Sequence, residues 1–190
     1  LFFSERRSWL GDHFFRCATK LGEEHAYFVV GILCFAIRLR YSLLVTVLGF
    51  TVLGASHALK EWFSEDRPYT FFRKNNLLEG LQLVSGIEPN TGATSFPSGH
   101  TMSAFALFSL LVFLLPNKKS YAAGFFLLAL MVGFSRVYLV QHFWEDVYAG
   151  AIIGVLIALI FYSVHARQVE KWSGGWLDKP LIKIGKAKSG

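Results

Sequence analysis

The sequence predicts an all-α fold, a multi-pass bundle of transmembrane helices. Of its 190 residues, 53% are hydrophobic and 17% are charged, whereas about 25% of the residues in a soluble globular domain are charged. The mean hydropathy is +0.41. Several apolar stretches approach the roughly 20 residues that a helix needs to cross a bilayer. These observations exclude an ordinary soluble domain and predict one membrane-embedded domain over residues 1–190.

The apolar stretches provide five spans at most. They cover residues 26–37, 41–59, 101–115, 121–140 and 147–164. The first is shorter than a full span, and the helix of the third is expected to begin near Ser98. In the last span, Gly150, Ala151 and Gly154 are small residues of the kind that lets helices pack closely in lipid. The sequence therefore predicts tight packing of the last helix against a neighbour.

The two ends of the chain differ from this apolar centre. Residues 1–24 are predicted to contain an interfacial helix, because apolar and charged residues are mixed between Ser8 and Leu21. Such a pattern is typical of a helix lying in the membrane surface, and also of an ordinary helix packed on a core. Residues 166–190 form a predicted basic cytoplasmic tail, with Trp172 and Trp176 as interfacial anchors.

The distribution of basic residues predicts which side of the membrane each connection occupies. If the helices alternate, one side carries Arg38, Arg40, Lys118, Lys119, Arg167 and Lys171. By the positive-inside rule this side is cytoplasmic. The opposite side then receives the long loop 60–97, and a loop of this length in a compact domain is usually functional. Alternation also brings three polar motifs to that outer face.

His142 and Asp146 form the first of these motifs, together with Ser135-Arg136. Residues four apart on a helix lie on one face. A carboxylate that accepts a hydrogen bond from one ring nitrogen fixes the tautomer and leaves the other nitrogen free to attack. A histidine held in this way can act as a nucleophile towards phosphorus. The alternative is a structural ion pair of His142 with Asp146 or Glu145.

Cationic residues in two of the motifs are candidates for binding phosphate. Arg136 and His142 can point into one cavity only if the helix breaks at 140–142, and an arginine there can grip phosphate oxygens in a bidentate fork. Lys60 and Arg67 would share a face of one helix, and Pro68 would then end that helix or turn the chain. The alternatives are an arginine snorkelling to the interface and cations paired with nearby acidic residues.

The tetrad Pro97-Ser98-Gly99-His100 is predicted to open a helix. Ser98 is a favourable N-cap residue, and Gly99 permits close approach of a ligand to the backbone. Exposed N–H groups at a helix start favour an anion. His100 stands where it could protonate a leaving oxygen. The alternative is a plain helix cap without a ligand.

The three motifs together resemble those of the type 2 phosphatidic acid phosphatase (PAP2) superfamily. Its signatures are K-x6-RP, PSGH and SR-x5-H-x3-D, and the chain matches them in order and with the usual spacing over roughly residues 40 to 165. The resemblance implies a PAP2-like helical core. Bacterial membrane members commonly have six spans, so an N-terminal span is either missing from this chain or replaced by its N-terminal helix.

The resemblance also implies a mechanism and a set of site residues. His142 would attack phosphorus to form a phosphohistidine, oriented by Asp146, and His100 would be the general acid and then the general base. The implied phosphate-binding residues are Lys60, Arg67, Ser98, Gly99 and Arg136. The family needs no metal and no other cofactor.

The function expected from these observations is hydrolysis of a lipid phosphate or diphosphate. The site would lie on the periplasmic face of a bacterial inner membrane, and the partners would be the lipid substrate and membrane lipids, with no nucleic acid. By the family resemblance, the candidate substrates are phosphatidylglycerol phosphate, phosphatidic acid, undecaprenyl diphosphate and lipid A 1-phosphate. The alternatives are a phosphotransferase that moves phosphate to a lipid or sugar hydroxyl, and a non-enzymatic lipid-binding relative.

Overall fold

The computed structural model describes residues 6–115 and 118–172, together with Gly175 and Leu177, and this part of the chain is helical and contains no strand. The rest of the predicted tail, with Trp176, and the side chains of residues 118, 119 and 170–172 lie outside the described residues. The helices are α1 Trp9–Thr19, α2 Glu24–Ile37, α3 Leu39–Phe63, α4 Pro68–Lys74, α5 Gly99–Leu114, α6 Lys118–Tyr138 and α7 Trp144–Trp172.

Within the described ranges, three helical stretches are long and apolar enough to cross a membrane. They are Leu39–Lys74, which includes α3 and α4, Ser120–Tyr138 and Trp144–Val169. The helices α2 and α5 are apolar but shorter. Large apolar side chains such as Phe28, Phe50 and Ile160 are more than 60% exposed on the outside of the bundle. Such a surface suits acyl chains rather than water, and the chain is an integral membrane protein.

The helix α5 forms the centre of the bundle and packs against α3, α6 and α7. Every side chain from Thr101 to Phe108 is buried. A Cβ atom on Gly154 would collide with the backbone of Met102, and one on Gly150 would lie 2.6 Å from the carbonyl oxygen of Ser98. The close packing predicted for the last helix is therefore confirmed, with α5 as its neighbour.

The N-terminal helix predicted between Ser8 and Leu21 is present as α1. Ser8 caps it by accepting a hydrogen bond from the N–H of Gly11 at 3.1 Å. The helix packs against α6, where Tyr138 donates a hydrogen bond to Asp12 at 2.8 Å and stacks with Phe15. A single 3-10 turn, Lys20–Gly22, joins α1 to α2. The N-terminal helix therefore lies beside the sequence motif that starts at Ser135.

The long loop 60–97 begins inside α3 and contains a short helix of its own. The helix α3 ends at Phe63, and Ser64 adopts a left-handed conformation with φ of 49°. Pro68 stands in the first turn of α4, where its missing N–H costs nothing. Pro68 therefore begins a helix, and the expectation that it ends one was wrong. Lys60 and Arg67 consequently do not lie on one helix.

Candidate active site

A break between α6 and α7 brings Arg136 and His142 into the same interior. Val140 has a φ of 56°, a left-handed conformation that costs a β-branched residue energy. The N–H groups of Gln141 and His142 both donate to the carbonyl oxygen of Arg136, at 2.9 and 3.2 Å. The break predicted at 140–142 is confirmed. Arg136 and His142 are 6% and 3% exposed, so both side chains point inwards.

His142 and Asp146 form a buried pair at the start of α7. Nδ1 of His142 lies 3.1 Å from Oδ2 of Asp146, and their side chains are 2% and 1% exposed. The same oxygen accepts hydrogen bonds from the hydroxyl of Ser95 and from the N–H of Phe143. His142 itself precedes the helix, so the break and these extra donors, rather than one helical face, hold the pair together.

The environment of His142 favours an uncharged ring with its lone pair on Nε2. Burial lowers the pKa of His142; the hydrogen bond with Asp146 opposes this effect, whereas the nearby charges of Arg136 and Arg67 reinforce it. An uncharged ring that donates from Nδ1 to Asp146 carries its lone pair on Nε2. This nitrogen lies 3.4 Å from Nη1 of Arg67. It is therefore next to a cation that can hold the oxygens of an electrophile.

Arg67 is fixed by the loop that follows α4. Its guanidinium donates to the hydroxyl of Thr94 at 3.3 Å and to the carbonyl oxygen of Gln141 at 3.2 Å. Its backbone N–H donates to the carbonyl oxygen of Gly92 at 3.0 Å. The side chain is only 7% exposed. Asp66 instead pairs with Lys74 at 2.7 Å, so Arg67 is held by neutral groups and its charge remains available to an anion.

Lys60 reaches the start of α5 from the last turn of α3. A Cβ atom on Gly99 would lie 3.5 Å from Nζ of Lys60 and 2.8 Å from the hydroxyl of Ser56. Only a glycine leaves room for this approach of α3 to the α5 backbone. The lysine ammonium and the first N–H groups of α5 therefore face the same small space.

Ser98 occupies the N-cap position of α5, but its side chain makes no capping hydrogen bond. Its hydroxyl instead pairs with that of Thr101 at 2.9 Å. Its backbone N–H donates to the carbonyl oxygen of Asp146 at 3.0 Å. The expected cap is thus absent in this form, and the residue ties the start of α5 to the start of α7.

Two contacts from the N-terminal segment complete the site. Arg136 donates from Nη1 to the hydroxyl of Thr19 at 2.7 Å, and its Nε is buried without a hydrogen-bond partner in the described part of the chain. Nε2 of His100 lies 3.8 Å from a carboxylate oxygen of Glu23. Sequence reasoning missed Thr19, Glu23 and also Ser95. No local signal marks the first two, because they meet their partners across 117 and 77 positions of the chain.

The arrangement is suited to binding an anion beside a nucleophile. The structure brings together Lys60, Arg67, Ser98, Gly99, His100, Arg136, His142 and Asp146. The cations Lys60, Arg67 and Arg136 lie close enough for their charges to interact. Like charges held together in a poorly solvated site repel one another, and an anion placed between them relieves that repulsion. A phosphate group has the charge and the oxygens that this set of donors requires.

Comparison with known proteins places this arrangement in a family. The model of the PAP2 superfamily matches residues 27–170, which include every residue of the three motifs. The chain belongs to the PAP2 superfamily. Thr19 and Glu23 lie outside the matched region.

Solved structures share the fold of this PAP2 protein. LpxE of Aquifex aeolicus superposes with a TM-score of 0.71 and 28% sequence identity, covering 85% of this chain and 91% of that one. A transmembrane PAP2-type phosphatidylglycerolphosphate phosphatase from Bacillus subtilis superposes with a TM-score of 0.69 at 23% identity, over 87% and 81% of the two chains. The predicted fold class, a PAP2-like bundle of transmembrane helices, is confirmed.

Curated relatives match this chain over different lengths, from 40% to 94% of it for the first three. The probable lipid phosphate phosphatase 4 of Arabidopsis thaliana is 37% identical over 105 residues, which are 49% of this chain and 34% of the relative. The alignments with the first three curated relatives cover between 27% and 44% of their lengths.

Proposed function

We propose that this protein is an integral membrane phosphatase that hydrolyses the phosphate or diphosphate of a membrane lipid through a phosphohistidine at His142. The observation that carries the proposal is the geometry of that residue. Its Nδ1 is held by Asp146 at 3.1 Å, and its Nε2 faces Arg67 at 3.4 Å. A nucleophilic nitrogen with a fixed tautomer next to a phosphate-binding cation is what attack on phosphorus requires.

In the first step, Nε2 of His142 attacks phosphorus and the bond to the leaving oxygen breaks. The imidazole becomes positively charged, and Asp146 stabilises that charge. His100 donates a proton to the leaving oxygen, so the lipid alcohol or lipid phosphate departs in protonated form. The negative charge on the phosphoryl oxygens is stabilised by Lys60, Arg67 and Arg136.

In the second step, water attacks the phosphohistidine. His100, now unprotonated, accepts a proton from the water as the new P–O bond forms and the P–N bond to His142 breaks. The products are inorganic phosphate and the enzyme in its starting state. Ser98 and the backbone N–H of Gly99 assist by donating to phosphoryl oxygens at the start of α5.

We further propose that the site faces the periplasm from a bacterial inner membrane. The basic residues Arg38, Arg40 and Arg167 lie in connections or helix ends on the opposite side from the motifs, which the positive-inside rule assigns to the cytoplasm. A site at this depth can receive its substrate sideways from the bilayer. Relatives named for lipid phosphate and phosphatidylglycerolphosphate support a lipid phosphate as the substrate class.

The decisive experiment is a phosphate-release assay in detergent with a panel of lipid phosphates and diphosphates. We expect the wild-type protein to release phosphate and His142→Ala to release none above background. The matched control is His57→Ala, because His57 is an exposed histidine on the neighbouring α3. Full activity of His142→Ala, or no activity of the wild type on any substrate, would contradict the proposal.

The same assay separates hydrolysis from phosphate transfer. With a lipid or sugar alcohol added as an acceptor, a phosphatase yields inorganic phosphate in an amount equal to the substrate consumed. A phosphotransferase would instead yield the phosphorylated acceptor, which mass spectrometry detects.

A further inference from the structure

The segment that joins α1 to α2 contacts two groups of the proposed active site. We name residues 19–23 the N-terminal turn; it includes the 3-10 turn Lys20–Gly22. It lies before residue 27, where the match to the family begins. Its first residue, Thr19, accepts the hydrogen bond from Arg136, and its last, Glu23, faces His100. The N-terminal turn therefore forms one wall of the site.

The backbone of the N-terminal turn fits closely under α5. Gly22 is buried, and a Cβ atom on it would lie 2.6 Å from the carbonyl oxygen of His100 and 2.8 Å from a methyl group of Val132. A larger residue would push the turn away from α5. This contact fixes the position of the Glu23 backbone relative to the start of α5, which carries His100.

The side chain of Glu23 is directed at His100, although its position at the start of α2 would also allow it to cap that helix. Glu23 is the N-cap residue of α2, yet its side chain makes no capping hydrogen bond. One carboxylate oxygen lies 3.8 Å from Nε2 of His100, and the other lies 3.6 Å from Nδ1 of His25. The side chains of Glu23 and His100 are about one third exposed, so water and substrate can reach them.

The other charged groups that act on His100 are three cations and one histidine, which is positive when it is protonated. They are Lys60 on α3, Arg67 at the start of α4, Arg136 on α6 and His142 in the break. Burial disfavours a positively charged His100 ring most, and all of these charges act in the same direction. A general acid must carry its proton when the substrate is bound, so a group that favours the charged ring is needed. Glu23 is placed to supply that influence.

We propose that Glu23 is a positioning residue that orients His100 and keeps it protonated for donation to the leaving oxygen. The inference rests on the proposed phosphatase function and adds a residue to it. In this step the P–O bond to the leaving group breaks, one N–H proton of His100 moves to the leaving oxygen, and His100 is left neutral beside Glu23. The proton returns to His100 when water attacks the phosphohistidine.

The test compares two substrates that differ in their need for a proton. The alkoxide of dioctanoyl phosphatidic acid must be protonated as it leaves, whereas the nitrophenolate of p-nitrophenyl phosphate departs as a stable anion. General acid catalysis contributes roughly 10²- to 10⁴-fold, and we expect Glu23→Gln to lose part of it. The kcat for dioctanoyl phosphatidic acid should fall about 10- to 100-fold with little change in KM, and that for p-nitrophenyl phosphate less than about threefold.

The matched control is Glu24→Gln, which removes the same charge from the exposed neighbouring residue and should behave as the wild type on both substrates. A second comparison uses His100→Ala as the background. There, adding Glu23→Gln should cause no further loss, because the group that it positions is gone. This comparison remains valid even if Glu23→Gln lowers stability, which thermal melting would reveal in both backgrounds.

Equal losses of kcat on both substrates would overturn the inference, since a merely structural defect affects all substrates alike. An additive loss in the His100→Ala background, or wild-type kinetics of Glu23→Gln on dioctanoyl phosphatidic acid, would also overturn it. These outcomes leave the proposed function intact, because the wild type is active in each. A wild type that cleaves neither substrate refutes the proposed function instead.

Discussion

Replacing Asp146 by asparagine removes the negative charge next to Nδ1 of His142 and keeps the size of the side chain. The present carboxylate oxygen accepts three hydrogen bonds, from His142, Ser95 and Phe143. An amide oxygen in the same position can still accept these hydrogen bonds, whereas the opposite orientation of the amide would lose them. The charge that stabilises the imidazole during attack on phosphorus is lost, and an amide N–H facing Nδ1 would favour the wrong tautomer.

The expected magnitude follows from the geometry of the pair. At the observed separation of 3.1 Å, Coulomb's law with an effective dielectric constant of about 20 gives an attraction of about 5 kcal/mol between the carboxylate and a charged imidazole. This attraction exists only once His142 becomes positive, so it lowers the barrier rather than the ground state. Because about 1.36 kcal/mol is a factor of ten in rate, kcat should fall on the order of 10³- to 10⁴-fold.

The assay is steady-state phosphate release from dioctanoyl phosphatidic acid in detergent micelles. Glu145→Gln is the matched control, since Glu145 is the exposed neighbour of Asp146 in the first turn of α7, and it should retain nearly full activity. Thermal melting checks that both variants remain folded. A folded Asp146→Asn variant with less than a tenfold loss of kcat would refute the reasoning, because the pair would then contribute little to the barrier.

Three further predictions concern other parts of the molecule. Thr19→Val removes the hydroxyl that holds Arg136. A hydrogen bond to a charged group contributes about 1.5–3 kcal/mol, so kcat/KM for p-nitrophenyl phosphate should fall roughly tenfold or more. The control Thr51→Val, on the exposed face of α3, should have no effect. Gly154→Ala should lower the free energy of unfolding by about 1–3 kcal/mol, and with it the melting temperature, because the new Cβ would strike the α5 backbone. The control Gly124→Ala, where the structure has open space, should leave stability unchanged or higher. Equal melting temperatures of the two variants would contradict the packing argument. Orthovanadate, which adopts the five-coordinate geometry of the transition state, should inhibit phosphate release. Excess EDTA should not inhibit it, since the cationic side chains supply the positive charge. Full activity at millimolar vanadate, or a loss of activity in EDTA that a divalent ion restores, would count against the proposed chemistry.

Each of the five predicted apolar segments is a helix, because composition alone distinguishes such segments from connections, although only three of the described helical stretches reach the length of a span. The break at 140–142 was also predictable, although no helix-breaking residue indicates it. Neither glycine nor proline occurs there, and Val140 adopts a left-handed backbone. The requirement that Arg136 and His142 reach one ligand was the only indication of it.

Other features could not be derived from local sequence. Ser95 contacts Asp146 across 51 positions, and Pro68 began a helix where a helix end was expected, because Ser64 had already turned the chain. Thr19 lies in the amphipathic segment between Ser8 and Leu21, and an interfacial or core-packed helix accounts for that pattern without any functional site. Thr19 and Ser95 acquire their roles only when α1 packs against α6 and the loop before α5 meets α7.

The close fit of Gly22 beneath His100 also bears on how far the chain could be shortened with the proposed site intact. A polypeptide cut back to Tyr27, the first residue that the family model matches, would retain all three signature motifs in their correct spacing. It would lack the turn that packs against the His100 carbonyl and the hydroxyl that holds Arg136. A fragment with all three motifs intact would therefore lack two of the contacts that position Arg136 and His100.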